Sequence, residues 1–201
     1  MFRYYMFNKP RGCITARSDP RHKTVMDYFP EELRYQVFPV GRLDKDTEGL
    51  LLVTDDGQFN FNLLSPHLGK KKTYFFYALG VPDEKKLSDL SSGVKIYTSK
   101  DHITAPAQIT ITEQTNLRAI KDYLSSPDES LATKKGDQVV VGGYITITEG
   151  KKHQVKRMVR YTGAKVLYLK RTAICGLVLD ENLGKGEYRP LSEEELAILV
   201  K

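Results

Sequence analysis

The stretch VFPVGRLDKDTEGLLLVTDDG, residues 37–57, sets Asp44, Asp46, Glu48 and Asp55 around a run of apolar residues. Carboxylates so placed can do one of three things. They can cap a solvated turn, because Asp bonds nearby backbone N–H groups and Gly takes positive φ. They can ligate calcium, since Asp44, Asp46, Glu48, Gly49 and Asp55 fall at positions 1, 3, 5, 6 and 12 of an EF-hand loop. Or one of them can be held in place for covalent or acid–base chemistry. The calcium pattern meets a poor context: position 12 is Asp rather than the bidentate Glu, LLLV fills positions 7–10, and the flanks read as strands where an EF-hand has helices. The chemical use draws support from Arg42. It precedes Asp44 by two residues, which on a strand share a face, and a neighbouring cation keeps a carboxylate ionised. Apolar runs on both sides would anchor the turn rigidly. The pattern permits a nucleophilic carboxylate without establishing one, and the solvated turn stays open.

The elements that must position this turn follow from pattern. FRYYMF (2–7) reads as a strand, ended by Pro10 and Gly12 of NKPRG; a basic loop covers 13–23; TVMDYF (24–29) reads as a short helix closed by Pro30. QVFPV and LLLVT are strand-length runs on either side of the acidic turn, and GQFNFNLLS (57–65) has short-helix spacing. KKKTYFFYALG (70–80) predicts a strand and VPDEKKLSDLSSG (81–93) a helix ended by Gly93. HITAPAQITITE (102–113) alternates like a half-wetted strand, TNLRAIKDYL (115–124) reads as helical, and SSPDESLATKKGDQ (125–138) as a polar, turn-rich, flexible connector. VVVGGYITITEG (139–150) predicts a strand pair or one long bent strand. KKHQVKRMVRYTG (151–163) is the clearest helix, with Val155, Met158, Val159 and Thr162 as its inner stripe and Gly163 as C-cap. A strand over 164–179 turns at Gly176, and PLSEEELAILV closes as a helix with a capping box from Ser192 and Glu195. Strands separated by single helices without βαβ repetition predict an α+β class, a largely antiparallel mixed sheet with flanking helices.

A chain of 201 residues accommodates one domain, or two small lobes sharing a sheet. The 40% apolar and 28% charged shares exclude disorder throughout. The net charge of +6 points to an anionic partner such as nucleic acid. Cys13 and Cys175, isolated, read as reduced thiols; no CxxC or His-rich pairing suggests a metal site. With no secretory h-region and no apolar run approaching 18 residues, the expectation is a soluble cytoplasmic protein without a membrane partner.

Five blocks now align with one pattern. NKPRG (8–12), GRLDKDTEGLLLVTDDG (41–57), KKTY (71–74), EGKKHQVKRM (149–158) and the tail LYLKRTAICGLVLDENLGKGEYRPLSEEEL (167–196) resemble, in order, the RNA pseudouridine synthases of the RsuA type. The resemblance covers nearly the whole chain. It implies a pseudouridine synthase-like catalytic fold with a central cleft, converting uridine to pseudouridine in ribosomal RNA without metal or diffusible cofactor. It matches Asp44 to the family's essential aspartate and Arg42 to the arginine that helps open the stem and replaces the flipped base. Tyr74 matches the tyrosine that stacks on the target base, and Lys156 the basic residue paired with the aspartate. Taken alone, Lys156 reads as a solvated helix lysine and Tyr74 as strand packing. Lys9, Arg11, Lys71, Lys72, His153, Arg157 and Arg160, near the motifs, are candidate RNA contacts. Asp46 and Glu48 read as structural groups of the turn, and Asp55 to Gly57 as shaping the next one.

The pattern starts by residue 4, so the expectation is a single catalytic domain over 1–201, monomeric, without the S4-like N-terminal module of many members, and with a flexible connector near 125–138. HQVKRM is closer to members that modify small-subunit RNA, whereas the short N-terminus resembles some large-subunit members. The expected substrate is ribosomal RNA, the small subunit slightly favoured over the large, or a ribosome assembly intermediate. Two rivals stand: a non-catalytic RNA-binding ribosome-assembly factor of the same fold, and a glycosyl-transfer enzyme acting on a free nucleotide.

Overall fold

The computed structural model describes residues 2–97 and 101–200. It is mixed α+β, with a large, mostly antiparallel sheet and flanking helices. The chain divides into two units, Met1–Lys72 with Lys170–Lys201, and Thr73–Leu169.

β1 (Tyr4–Lys9), rich in the aromatic residues that favour strands, belongs to the first unit. A 3-10 turn over Val25–Tyr28 takes the place of the short helix expected there, and is followed by a single turn, α1 (Glu31–Arg34). Then come β2 (Phe38–Val40) and β3 (Glu48–Thr54). All seven residues of β3 are buried, as a continuous apolar run requires when both faces of a strand are covered. Leu50 and Leu52 pack with Met6, Phe59, Leu63 and Leu199, and on the opposite side Phe7 meets the rings of Tyr28 and Phe29. Asp56 caps α2 (Gly57–Leu64), its Oδ1 accepting from the Gln58 and Phe59 amides at 2.9 and 3.0 Å.

β4 (Lys72–Leu79) leads into the second unit, followed by α3 (Glu84–Asp89) and a hairpin of β5 (Lys95–Tyr97) and β6 (Asp101–Ile103). The alternating 102–113 segment is thus two strands, β6 and β7 (Gln108–Asn116), separated by residues 104–107. The helix expected over 115–124 is absent. β7 runs on to Asn116, whose side-chain oxygen accepts from the Ala119 amide at 3.0 Å and turns the chain. Leu117, Ile120 and Leu124 do face inward at helical spacing, but a turn and a 3-10 segment over Lys121–Tyr123 place them there. The opposite correction applies to 125–138, which holds α4 (Ser126–Lys134) instead of a turn-rich connector. Pro127 near the first position and Asp128 and Glu129 in the first turn are a helix-start signature, and Ala132 is buried. β8 (Val139–Ile147) is one continuous strand, antiparallel to β7, which carries a bulge between Ile111 and Glu113. α5 (Gln154–Tyr161) follows, with Val155, Met158, Val159 and Thr162 buried and Gly163 at φ +98.

β9 (Lys165–Ile174) returns the chain to the first unit, where β10 (Leu177–Val178), β11 (Tyr188–Pro190) and α6 (Glu193–Val200) complete it. Here β11, β1 and β3 are neighbours in that order, and β3 pairs in parallel with β9 at Glu48–Lys170 and Gly49–Arg171. Gly49 has φ +99, and a Cβ there would stand 2.3 Å from the Arg171 carbonyl oxygen, so only glycine lets β9 approach.

α6 is tied down by Arg189. Its Nη1 and Nη2 donate to the two Glu195 oxygens at 2.8 and 2.7 Å, and its Nε donates to Asp180 at 2.8 Å. Ser192 and Glu195 close the expected capping box, with the Ser192 amide 2.9 Å from Glu195 and the Glu195 amide 3.2 Å from the Ser192 hydroxyl. The Arg189 contact holds the Glu195 carboxyl below the usual value of 4.5. A carboxyl that ionises more readily when folded stabilises above its unfolded pKa, and loses that contribution as pH falls through the folded one. Arg189→Met should therefore be about 1 kcal/mol less stable at neutral pH. Its urea midpoint should also fall less than the wild type's as pH drops below 4.5; parallel acid limbs would count against the clamp.

Candidate active site

The segment from Gly41 to Thr47 lies between β2 and β3 and has no regular structure apart from a turn at Lys45 and Asp46. Arg42 and Asp44 therefore do not share a strand face as expected. The exposure still alternates: Arg42 is exposed, Leu43 buried and Asp44 partly buried. Such a segment needs partners for its backbone groups. They come from residues 9–15. The Lys9 ammonium donates to the carbonyls of Asp44 at 3.1 Å, Thr47 at 2.9 Å and Pro10 at 3.1 Å, which engages its three protons. The Thr15 hydroxyl donates to the Leu43 carbonyl at 2.8 Å and accepts from the Leu43 amide at 3.1 Å. The Gly12 amide donates to the Lys45 carbonyl at 2.8 Å, and the Thr47 amide to the Asp44 carbonyl at 3.1 Å. NKPRG is thus the cradle of the Asp44 turn.

Lys9 is the first correction among the site residues. It is 0% exposed, so it cannot reach RNA phosphates. Burial pushes its ammonium below the usual lysine range, while Cys13, Asp46, Glu48 and Asp44 oppose that fall.

Three other carboxylates of the block, Glu48, Asp55 and Asp56, serve the fold. Glu48 is buried and its Oε2 lies 2.9 Å from Lys185 Nζ. Asp55 accepts from the Arg3 amide at 2.7 Å; Asp56 caps α2 and accepts the Tyr4 hydroxyl at 2.7 Å. These engagements take Glu48 and Asp55 away from a shared cation, and among the described residues no cluster of three His, Cys, Asp or Glu is placed to hold a metal ion. Asn8 joins the cradle to the tail: its amide donates to the Glu187 carbonyl at 3.0 Å and its Nδ2 to Leu183 at 2.7 Å.

In the second unit, Tyr74 sits on β4 and is 7% exposed. Lys156 and Arg157 lie on α5 partly buried, while His153 and Arg160 are exposed. His153 stands at the helix entrance with φ +53. Gln154 makes that entrance rigid. Its Oε1 accepts from the Lys151 amide at 2.8 Å and its Nε2 donates to Glu149 at 2.7 Å. Glu149 also accepts from the Ala105 amide at 2.8 Å and faces His102 Nε2 at 3.1 Å. Gln154 and Glu149 were legible only as letters inside EGKKHQVKRM; Thr15 carried no signal, since its partner lies 28 residues away. Of the remaining candidates, Arg11 is partly buried, Lys71 is exposed, and Lys72 turns its ammonium onto the Lys70 carbonyl at 2.9 Å. Burial, then the charge of Arg171, lowers the Lys72 pKa.

Replacing Lys9 by Met would leave buried carbonyls without donors. We expect Lys9→Met to lose about 3 kcal/mol in urea unfolding, at ~1–3 kcal/mol for each group left unpaired. A loss under about 1 kcal/mol would mean that water serves those carbonyls equally well.

Comparison with known proteins now bears on this arrangement. A family model described as RNA pseudouridylate synthase matches residues 3–161. The uncharacterized RNA pseudouridine synthase YtzG of Bacillus subtilis is 43% identical over 199 residues, covering 98% of this chain and 73% of that protein. The ribosomal small subunit pseudouridine synthase A of Escherichia coli is 36% identical over 198 residues, covering 98% and 74%. A crystal structure of a pseudouridylate synthase superposes with a TM-score of 0.78 at 34% identity, over 99% of this chain and 74% of that one. A sheet of this order, an Asp44 turn with its own cradle, and matches along the whole length lead to one conclusion: the chain belongs to the RNA pseudouridylate synthase family and is an RNA pseudouridine synthase.

Proposed function

We propose that the chain isomerises a uridine of small-subunit ribosomal RNA, with Asp44 as the carboxylate that acts on the flipped-out nucleotide. The observation that supports this reading is the cradle. The Asp44 main chain is held by Lys9 and its neighbours by Thr15 and Gly12, Asp44 itself is partly buried, and Glu48 and Asp55 meet Lys185 and Arg3. A backbone fixed on both sides of one carboxylate is what positioned chemistry needs.

The reaction breaks the N1–C1′ bond, turns the base, and forms a C5–C1′ bond. The proton released from C5 is balanced by one gained at N1. An ionised carboxylate can attack the nucleotide covalently, or stabilise positive charge developing on the ribose and take the C5 proton. Arg42, exposed beside Asp44 in sequence, takes the place of the extruded base. Tyr74 serves as the ring on which the base stacks, and Lys156 as the basic residue of the reaction. Stacking supplies ~1–3 kcal/mol per base, the scale of the few kcal/mol that flipping costs. The small-subunit target is supported by the name of the Escherichia coli relative and by HQVKRM. Exposed Lys71, His153 and Arg160, with Arg11 and Arg157, are the cations proposed to meet phosphates.

The decisive test is pseudouridine mapping on unmodified small-subunit RNA. Wild type should form product and Asp44→Asn none, with RNA affinity kept within about threefold. Product from Asp44→Asn would sink the proposed role, and absence of product from wild type would favour a non-catalytic RNA-binding factor. Affinity should drop by roughly tenfold or more between about 50 and 200 mM salt, as counterion release dictates. A flat salt response would exclude a phosphate-tracking surface.

A further inference from the structure

α2 carries apolar residues on two sides. Phe59 and Leu63 face the core, whereas Phe61 is 67% exposed and Leu64 41% exposed. The 3-10 turn over Pro66–Leu68 extends the outer stripe with Leu68, 54% exposed. A soluble helix ordinarily turns polar residues to water on that side, and contiguous exposed apolar residues mark an interaction site.

The stripe is continuous with the catalytic loop. Leu64 lies over Gly41, where a Cβ would come within 2.8 Å of Leu64 Cδ2, and Gly41 precedes Arg42. At its other end Leu68 lines a cavity of about 480 Å³ together with Lys70 and the exposed Lys71. The stripe thus has the exposed Arg42 next in sequence to the Gly41 that Leu64 covers, and the exposed Lys71 in the cavity that Leu68 lines. Cations flanking an aromatic platform suit a single-stranded nucleic acid, whose phosphates meet the charges and whose base meets the ring.

We propose that Phe61, Leu64 and Leu68 form a ledge for an unpaired nucleotide of the substrate RNA that flanks the target uridine, its base stacked on Phe61. This rests on the RNA-modifying reading above. The ledge takes no part in bond making; it adds affinity and selects substrates that present an unpaired base beside the target.

The chain contains no tryptophan, so Phe61→Trp creates a single emitter at the ledge. Titrated with unmodified small-subunit RNA, this variant should bind as wild type does, with its emission quenched in step with binding. Phe61→Ala should raise KM and Kd for the RNA by ~5- to 100-fold, the range of one lost base stack, with kcat at saturating RNA unchanged. Sedimentation should show wild type and Phe61→Ala in the same oligomeric state. Unquenched emission at saturation, or Phe61→Ala with wild-type KM, overturns the ledge while pseudouridine formation by wild type leaves the enzymatic reading intact. An oligomer lost in Phe61→Ala overturns it in favour of contact with a second copy. Failure of wild type to bind RNA overturns both.

Discussion

One buried ammonium group organises the loop that carries Asp44. Lys9 gives its protons to the carbonyls of Pro10, Asp44 and Thr47 from a position without solvent exposure. Taking an ammonium out of water is costly, and carbonyl dipoles offset that cost only if the geometry is good. The same requirement works in reverse on the loop. Its carbonyls converge on one point because a buried charge must be met there, so the irregular segment between β2 and β3 has few alternatives. Thr15 and Gly12 bind the adjoining peptide groups from the same stretch of chain. NKPRG thus acts as a mould for the Asp44 turn.

The mould also sorts the carboxylates. Asp44, Asp46, Glu48 and Asp55 look alike on paper. Glu48 enters the buried face of β3 and meets Lys185, Asp55 turns to Arg3, and Asp56 caps α2. These assignments arise from β1, the tail loop and α2 closing around β3. Gly49 serves neither a calcium loop nor a tight turn: it gives the β9 backbone room to pair. In the second unit Gln154 and Glu149 do for the start of α5 what Lys9 does for the Asp44 turn, using side-chain amide and carboxylate in place of a charge on carbonyls.

Local pattern made much of this legible. Strand-length apolar runs revealed β1, β3 and β4, and a spacing near 3.6 revealed α2 and α5, because each buries one stripe or both faces. The capping box at Ser192 was readable because its two partners are three residues apart. The misreadings share a cause. At 115–124 the inward spacing of Leu117, Ile120 and Leu124 was real, but Asn116 turned the chain first. At 126–134 polar composition hid a helix that Ser-Pro-Asp-Glu announces.

By itself the chain of residues determined its α+β class and its family, since motifs and periodicities are short-range and survive in one dimension. Only tertiary structure decided that Lys9 is an internal clamp, that Thr15 braces the Asp44 turn and Gln154 the start of α5, and that Phe61 faces water. Whether a lysine is solvated or buried depends on what distant segments pack over it, and that competition between desolvation and hydrogen bonding is settled only when the chain has folded.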